Sequence, residues 1–320
     1  MKKIIVTSLM FFLLLAGILS AEMMPDLIER EHFYFIADNT QFLEEVEAAL
    51  TDARRLTRRL LNDSLSYKPR IYIEDDLHNF KRLIGTAFPD WGAAAALPYR
   101  ELIAIKSPAH FRLGKSLREL VMHEYGHLAL QHRLNHARPP RWLDEGVAMH
   151  VSSEWRWGDN LAMSQAVVLG SLVPLRKIEK LNLFPQGQAR TAYAQSYMAV
   201  RYILDTYGPE SFQILLDRLR GRASTDEALM AALGSNYEGF EKEYLSFLKG
   251  RFNIMTLIGD LSFLWLFLAL VVIIGFILRF RRKRKYYDRW DKEEKYQSTD
   301  FDYGDPDNPE QIDDEDKPWA

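Results

Sequence analysis

The chain has 320 residues, a net charge of −3 and no cysteine. With 48% hydrophobic and 27% charged residues it reads as globular, one or two domains with room for a sizeable core, and not as disordered. The lack of cysteine excludes disulfides, thiolate metal ligands and a cysteine nucleophile, so any metal must be held by His, Asp or Glu; no basic excess calls for nucleic acid.

Residues 1–21 begin with the basic pair Lys2 and Lys3, continue as the apolar run Ile4–Ile18 and reach small residues at Ser20-Ala21. This is the pattern of a secretory signal; with Leu19 unfavourable before the cut, an uncleaved anchor is the alternative. Residues 22–110 alternate between strand-like and helix-like patterns. His32–Ile36, Arg70–Ile73 and Glu101–Ile105 read as strands, the last ended by Ser107-Pro108. Gln41–Asn62 reads as an amphipathic helix with Leu43, Val46, Leu50, Leu56 and Leu60 on one side. Residues 111–252 form a helical part, almost continuous from Leu113 to Gly250 and punctuated by Gly208-Pro209 and Gly234-Ser235-Asn236. No internal repeat is visible.

A second apolar segment lies in residues 255–279. The 18 residues from Leu261 to Leu278 carry no charge. At about 1.5 Å rise per residue they reach roughly 27 Å, close to a bilayer's hydrocarbon core. Arg279, Arg281, Arg282, Lys283, Arg284 and Lys285 follow at once. Basic residues stay on the cytoplasmic side, so residues 22 to about 255 are expected outside the cytoplasm. Residues 280–320 then read as a basic stop and a disordered acidic cytoplasmic tail, open to a cytoplasmic partner. The expected class is α+β: a small mixed sheet, a helical subdomain and one C-terminal transmembrane helix.

The chemistry concentrates at His123-Glu124-Tyr125-Gly126-His127, inside a helical pattern running from Leu117 to Leu130. Residues four apart share a helix face, with β-carbons about 5–6 Å apart, so two imidazoles can reach one metal. Glu124 sits beside them, where it can take a proton from water. The bland alternative is a surface helix with two solvated histidines. His132 and His136 repeat the spacing without an interposed glutamate, and read as solvated or as hydrogen-bond partners near the site. A catalytic zinc needs a third protein ligand. Downstream, Arg141-Trp142-Leu143-Asp144-Glu145-Gly146-Val147-Ala148 follows Pro139-Pro140, which can end one helix and start another. Glu145 and Asp144 both offer a carboxylate there, about 100° apart on a helix.

His123-Glu124-x-x-His127 followed by Trp142-Leu143-x-Glu145-Gly146-x-Ala148 resembles the gluzincin pattern. It is similar above all to the MA-clan peptidase-like domains related to aminopeptidase N and leukotriene hydrolase. The resemblance covers roughly residues 100 to 250. It implies a zincin-like metallopeptidase domain, one zinc held by His123, His127 and Glu145, Glu124 as general base, and a peptide or protein substrate. Seventeen residues separate His127 from Glu145, one fewer than is usual in the aminopeptidase branch. Tyr193 to Gly208 resembles the family helix whose leading tyrosine stabilises the oxyanion, which implies a catalytic role for Tyr193; packing is the alternative for it and for Tyr197 and Tyr202. One departure matters. The family's aminopeptidases carry a glutamate that captures the substrate's free amine. The corresponding stretch here, Gly92-Ala93-Ala94-Ala95-Ala96-Leu97-Pro98, has no acid, which favours an endopeptidase. Glu101–Ile105 is either the edge strand along which a substrate pairs or an internal strand.

Three functions compete. The first is a membrane-anchored extracytoplasmic zinc peptidase. The second is a membrane-anchored binding or assembly module with a structural or inactive zinc site. The third, an intramembrane protease, is disfavoured because Arg118, Glu119 and Arg133 make the motif helix too polar to span.

Overall fold

The structure, a computed structural model, describes residues 26–296 except 38, 86–91, 156 and 261. The expected leader at 1–21 and the acidic tail beyond 296 lie outside the described residues. The chain divides into two compact units, with the boundary between 260 and 261.

In the first unit, five strands form one sheet: β1 (Asp26–Glu29), β2 (Tyr34–Ala37), β3 (Arg70–Glu74), β4 (Ala94–Leu97) and β5 (Leu102–Lys106), in the order β1-β2-β3-β5-β4. β2, β3 and β5 run parallel, with Ile36 opposite Tyr72 and Ile73 opposite Ile105. β1 and β4 are antiparallel edges. The sequence leaves residues 101–105 open as edge or interior, and the structure makes β5 interior. The edge beside it is β4, which the sequence pattern does not predict because its Ala-Ala-Ala-Leu run carries no β-branched or aromatic residue.

Alternation along the strands gives the sheet two apolar faces. Phe35, Ile71, Ile73, Ile103 and Ile105 join the main core, whereas Leu102 and Ala104 face the other way onto Phe80. α1 (Leu43–Leu61) lays Leu43, Val46, Ala49, Leu50, Ala53 and Leu61 into the main core, and α2 (Leu77–Ile84) brings Phe80 to the opposite face.

The helical part comprises α3 (Leu117–Arg133), α4 (Arg141–Ser152), α5 (Trp157–Val168), a 3-10 segment (Leu175–Leu183), α6 (Gln186–Arg220), α7 (Thr225–Leu233), α8 (Tyr237–Arg251) and α9 (Ile254–Asp260). α3 starts on a capping box: Ser116 Oγ accepts from Glu119 N–H, and Glu119 Oε2 accepts from Ser116 N–H. The expected punctuation is present. Gly208, at φ 83°, breaks α6 ahead of Pro209, and Gly234, at φ 73°, closes α7 just before the Asn236 cap of α8. One buried cluster runs from Phe33 to Phe252, so the sheet and the helices share a core.

Two glycines set how closely α3, α4 and α6 pack. A Cβ on Gly126 would lie 2.8 Å from Ala148 Cα, and one on Gly146 would lie 2.3 Å from the Ser196 carbonyl oxygen. Only the missing side chains let α4 press against both neighbours. Trp142, fully buried, anchors α4 from another side by stacking on Phe240 at 5.6 Å.

The second unit contains α10 (Ser262–Tyr296). Its stretch Leu264–Lys285 is long and apolar enough to cross a membrane, as no other helix is among the described residues. The helix continues through the basic stop, where Arg, Lys and Glu are good helix formers.

Candidate metal centre

α3 places His123 and His127 one turn apart on one face, ring centroids 4.9 Å from each other. α4, entered through Pro140 in extended conformation, returns across that face and delivers Glu145. Its first turn is fixed from outside, since Arg141 N–H donates to Glu179 Oε1 at 2.7 Å. Glu145 Oε2 lies 3.4 Å from His123 Nε2 and 3.8 Å from His127 Nε2. The candidate ligand atoms of all three residues fall within 4.8 Å of one another, and these residues could hold a metal ion.

The donor set fits such an ion. The Glu145 side chain is 1% exposed, and Arg141 Nη2 holds Oε1 at 2.6 Å. Oε2 has no hydrogen-bond partner among the described residues. A buried carboxylate oxygen left without a partner is costly, and a cation between it and the two imidazoles satisfies it. His127 turns Nε2 toward that point with its Nδ1 bonded to a carboxylate, and His123 does so with a carboxylate close to its Nδ1. Asp144 Oδ1 lies 2.7 Å from His127 Nδ1, and Glu154 Oε1 lies 3.0 Å from His123 Nδ1. Lys115 Nζ in turn holds Glu154 Oε2 at 2.5 Å. Carboxylates behind ligand histidines fix their tautomer and orientation.

The electrostatics agree. Burial works against protonation of His123, but Glu145 and Glu154 outweigh it and lift its pKa to about 10. Burial likewise opposes the charge on His127, and Asp144 outweighs it and raises that pKa. Burial alone would raise Glu145, yet its contact with His123 and the charge of Arg141 hold it at about 2. Carboxylates that raise the pKa of both imidazoles favour positive charge in the pocket, and a metal cation supplies such charge.

The structure brings the other expected residues into view. Glu124, half-buried beside His123, accepts the Ala96 N–H on Oε2 at 2.7 Å, so the edge strand β4 borders the centre. Tyr193 is near enough to feel the centre's charges. Burial, then the Glu145 carboxylate, push its phenol well above the usual range, so it stays a donor. α6 begins at Gln186 behind Pro185, so Tyr193 sits in its third turn. Tyr197 is packing: it stacks on Trp155 at 4.8 Å and on His150 at 5.8 Å. Asp144 supports His127 and is not directed at the ligand cluster. His132 bonds Asp63 and Ser66, and His136 stacks on Tyr99 at 5.1 Å, so neither joins the centre.

Sequence reasoning missed Glu154, Lys115 and the role of Arg141. Glu154 reaches His123 because Ser153 turns left-handed, at φ 56°, at the end of α4. No spacing rule announces such a turn. Arg141 was legible in principle, because a residue four before Glu145 on a helix shares its face.

Fold and site together define a metallopeptidase-like arrangement: two histidines one turn apart, a glutamate from the next helix and an acid beside the first histidine. A sequence model of the peptidase MA superfamily matches residues 64–250, and the chain belongs to that superfamily. No curated protein matches the chain.

Proposed function

We propose that this chain is a membrane-anchored zinc peptidase that hydrolyses peptide bonds outside the cytoplasm, as an endopeptidase rather than an aminopeptidase. The observation that carries the reading is the buried, unpartnered Oε2 of Glu145 converging with two Nε2 atoms. His123, His127 and Glu145 would hold one zinc in a zincin-like domain. Zinc, when bound, supplies Lewis-acid chemistry to the scissile carbonyl. Glu124 takes a proton from the attacking water and passes it to the leaving amine. Tyr193 donates toward the oxygen that gains charge in the transition state. Arg141 occupies one oxygen of Glu145, and Asp144 and Glu154 hold the two rings.

Two features support the endopeptidase reading. Residues 92–98 contain no acid to capture a free amine. Among the described residues β4 is an edge strand of the sheet and borders Glu124, and a sheet edge accepts an extended chain. The apolar stretch of α10, with basic residues after it, supports an anchor whose C-terminal side is cytoplasmic. Metal analysis of the purified full-length chain tests the centre. One zinc per chain is expected, lost when His123, His127 and Glu145 are replaced together; full occupancy in that triple variant would sink the assignment.

A further inference from the structure

His132 lies in the last turn of α3 and plays no part in the metal centre. Its Nδ1 lies 2.9 Å from Asp63 Oδ2, and its Nε2 lies 2.9 Å from Ser66 Oγ. Asp63 as a carboxylate can only accept, so Nδ1 carries the proton and Nε2 is left to accept from the Ser66 hydroxyl. Acid, imidazole and hydroxyl thus stand in the order that activates a serine nucleophile. Asp63 and Ser66 come from the connection after α1, and His132, far from them in sequence, from the last turn of α3.

Ser66 is exposed and opens on a cavity of about 210 Å³ that Arg54, Tyr67, Lys68 and His32 also line. The Tyr67 hydroxyl is buried with no hydrogen-bond partner among the described residues. Burial, with the charge of Glu101, pushes this phenol up to about 12, so it remains a donor. Ser66 N–H is already directed at His132 Nε2, at 3.3 Å, and Tyr67 lines the same cavity as Ser66. Lys68 is tied to Glu29, so Arg54 is the cation that a ligand would meet.

We propose that Ser66 and His132, positioned by Asp63, form a second, metal-independent site that hydrolyses small esters of acids bearing a further negative charge. Ser66 Oγ bonds to the ester carbonyl carbon as its proton passes to His132 Nε2. Tyr67 donates to the oxyanion, and Arg54 faces the second acidic group. The bond to the alcohol oxygen breaks, and the alcohol leaves with the proton from His132. Water then gives a proton to His132 and attacks the acyl-serine, releasing the acid and restoring the serine hydroxyl. The net change is ester plus water to acid plus alcohol.

The test uses the full-length chain in detergent, carrying Glu124→Gln so that the metal centre contributes no turnover. A fluorophosphonate reagent should modify Ser66, mapped by mass spectrometry, and Ser66→Ala should abolish the adduct. His132→Gln should slow labelling by about 10²-fold or more, the loss expected on removing a general base. A hemisuccinate aryl ester should be hydrolysed in preference to the acetate, and Arg54→Met should remove that preference. Absence of an adduct on Ser66, or labelling that His132→Gln leaves unchanged, would overturn the proposal and reduce the trio to a tie between α3 and the connection after α1.

Discussion

Replacing Gly146 with alanine tests how the packing of α4 builds the metal centre. The added Cβ would stand 2.3 Å from Ser196 O, 2.6 Å from Val200 Cγ2 and 2.9 Å from Ser196 C. Ordinary C–H···O contacts lie at about 3.3–3.6 Å, so the overlap with the carbonyl is about 1 Å. Backbone supplies two of the three contacts, and no rotamer change relieves them. Overpacking of this kind costs up to about 3 kcal/mol, against roughly 1 kcal/mol that alanine gains over glycine inside a helix, a net loss of about 2 kcal/mol. For a unit of this size that lowers the melting temperature by about 4–8 °C. Glu145 is the adjacent residue, and a displacement of about 1 Å at a catalytic group costs about 10²-fold in turnover. Near-UV circular dichroism melts and peptide turnover of the full-length chain read both effects. Gly187→Ala is the control, because nothing lies within 4 Å of its Cβ, and its stability should not fall. A Gly146→Ala variant that melts with the wild type and keeps its turnover would refute the close approach of α4 to α6.

Three further outcomes are expected. Glu154→Gln and Asp144→Asn should each weaken zinc affinity by about 10–100-fold while the fold persists, measured by competition with a chromophoric chelator; unchanged affinity in both would remove their role behind the histidines. Tyr193→Phe should retain zinc and lose roughly 10²–10³-fold in turnover, more than in substrate binding, while Tyr197→Phe costs little. Equal, small losses in both would assign the oxyanion donor elsewhere. Protease added to intact spheroplasts should cleave within residues 26–250 and spare epitopes after Lys285, and the reverse pattern would contradict the orientation of α10.

Much of this arrangement is legible in the sequence because it rests on local rules. Helix spacing alone pairs His123 with His127, and Pro139-Pro140 marks the entry to α4. Gly208, Gly234 and Asn236 end and start helices where their conformational preferences predict. What escaped reading depends on tertiary contact. β4 is a strand because it pairs with β5 and donates Ala96 N–H to Glu124, not because alanines favour strands. Glu154 reaches His123 only through the left-handed turn at Ser153. The reason for glycine at 126 and 146 lies on neighbouring helices, at Ala148 and Ser196, which no local pattern connects to them. α6 starts at Gln186 behind Pro185, a start that the Gln-Gly pair after the proline disguises as a loop.

The most direct measurement compares Glu124→Gln with the wild type in the full-length chain, reading bound zinc and peptide-bond hydrolysis on the same preparations. Glu124 contributes no ligand atom to the His123, His127 and Glu145 cluster. Zinc should therefore remain at one per chain while turnover falls by about 10²–10⁴-fold, the effect of removing a general base. Equal hydrolysis by the two proteins at equal zinc content would contradict a peptidase working through Glu124, and hydrolysis by neither would favour a binding module built on the same metal centre.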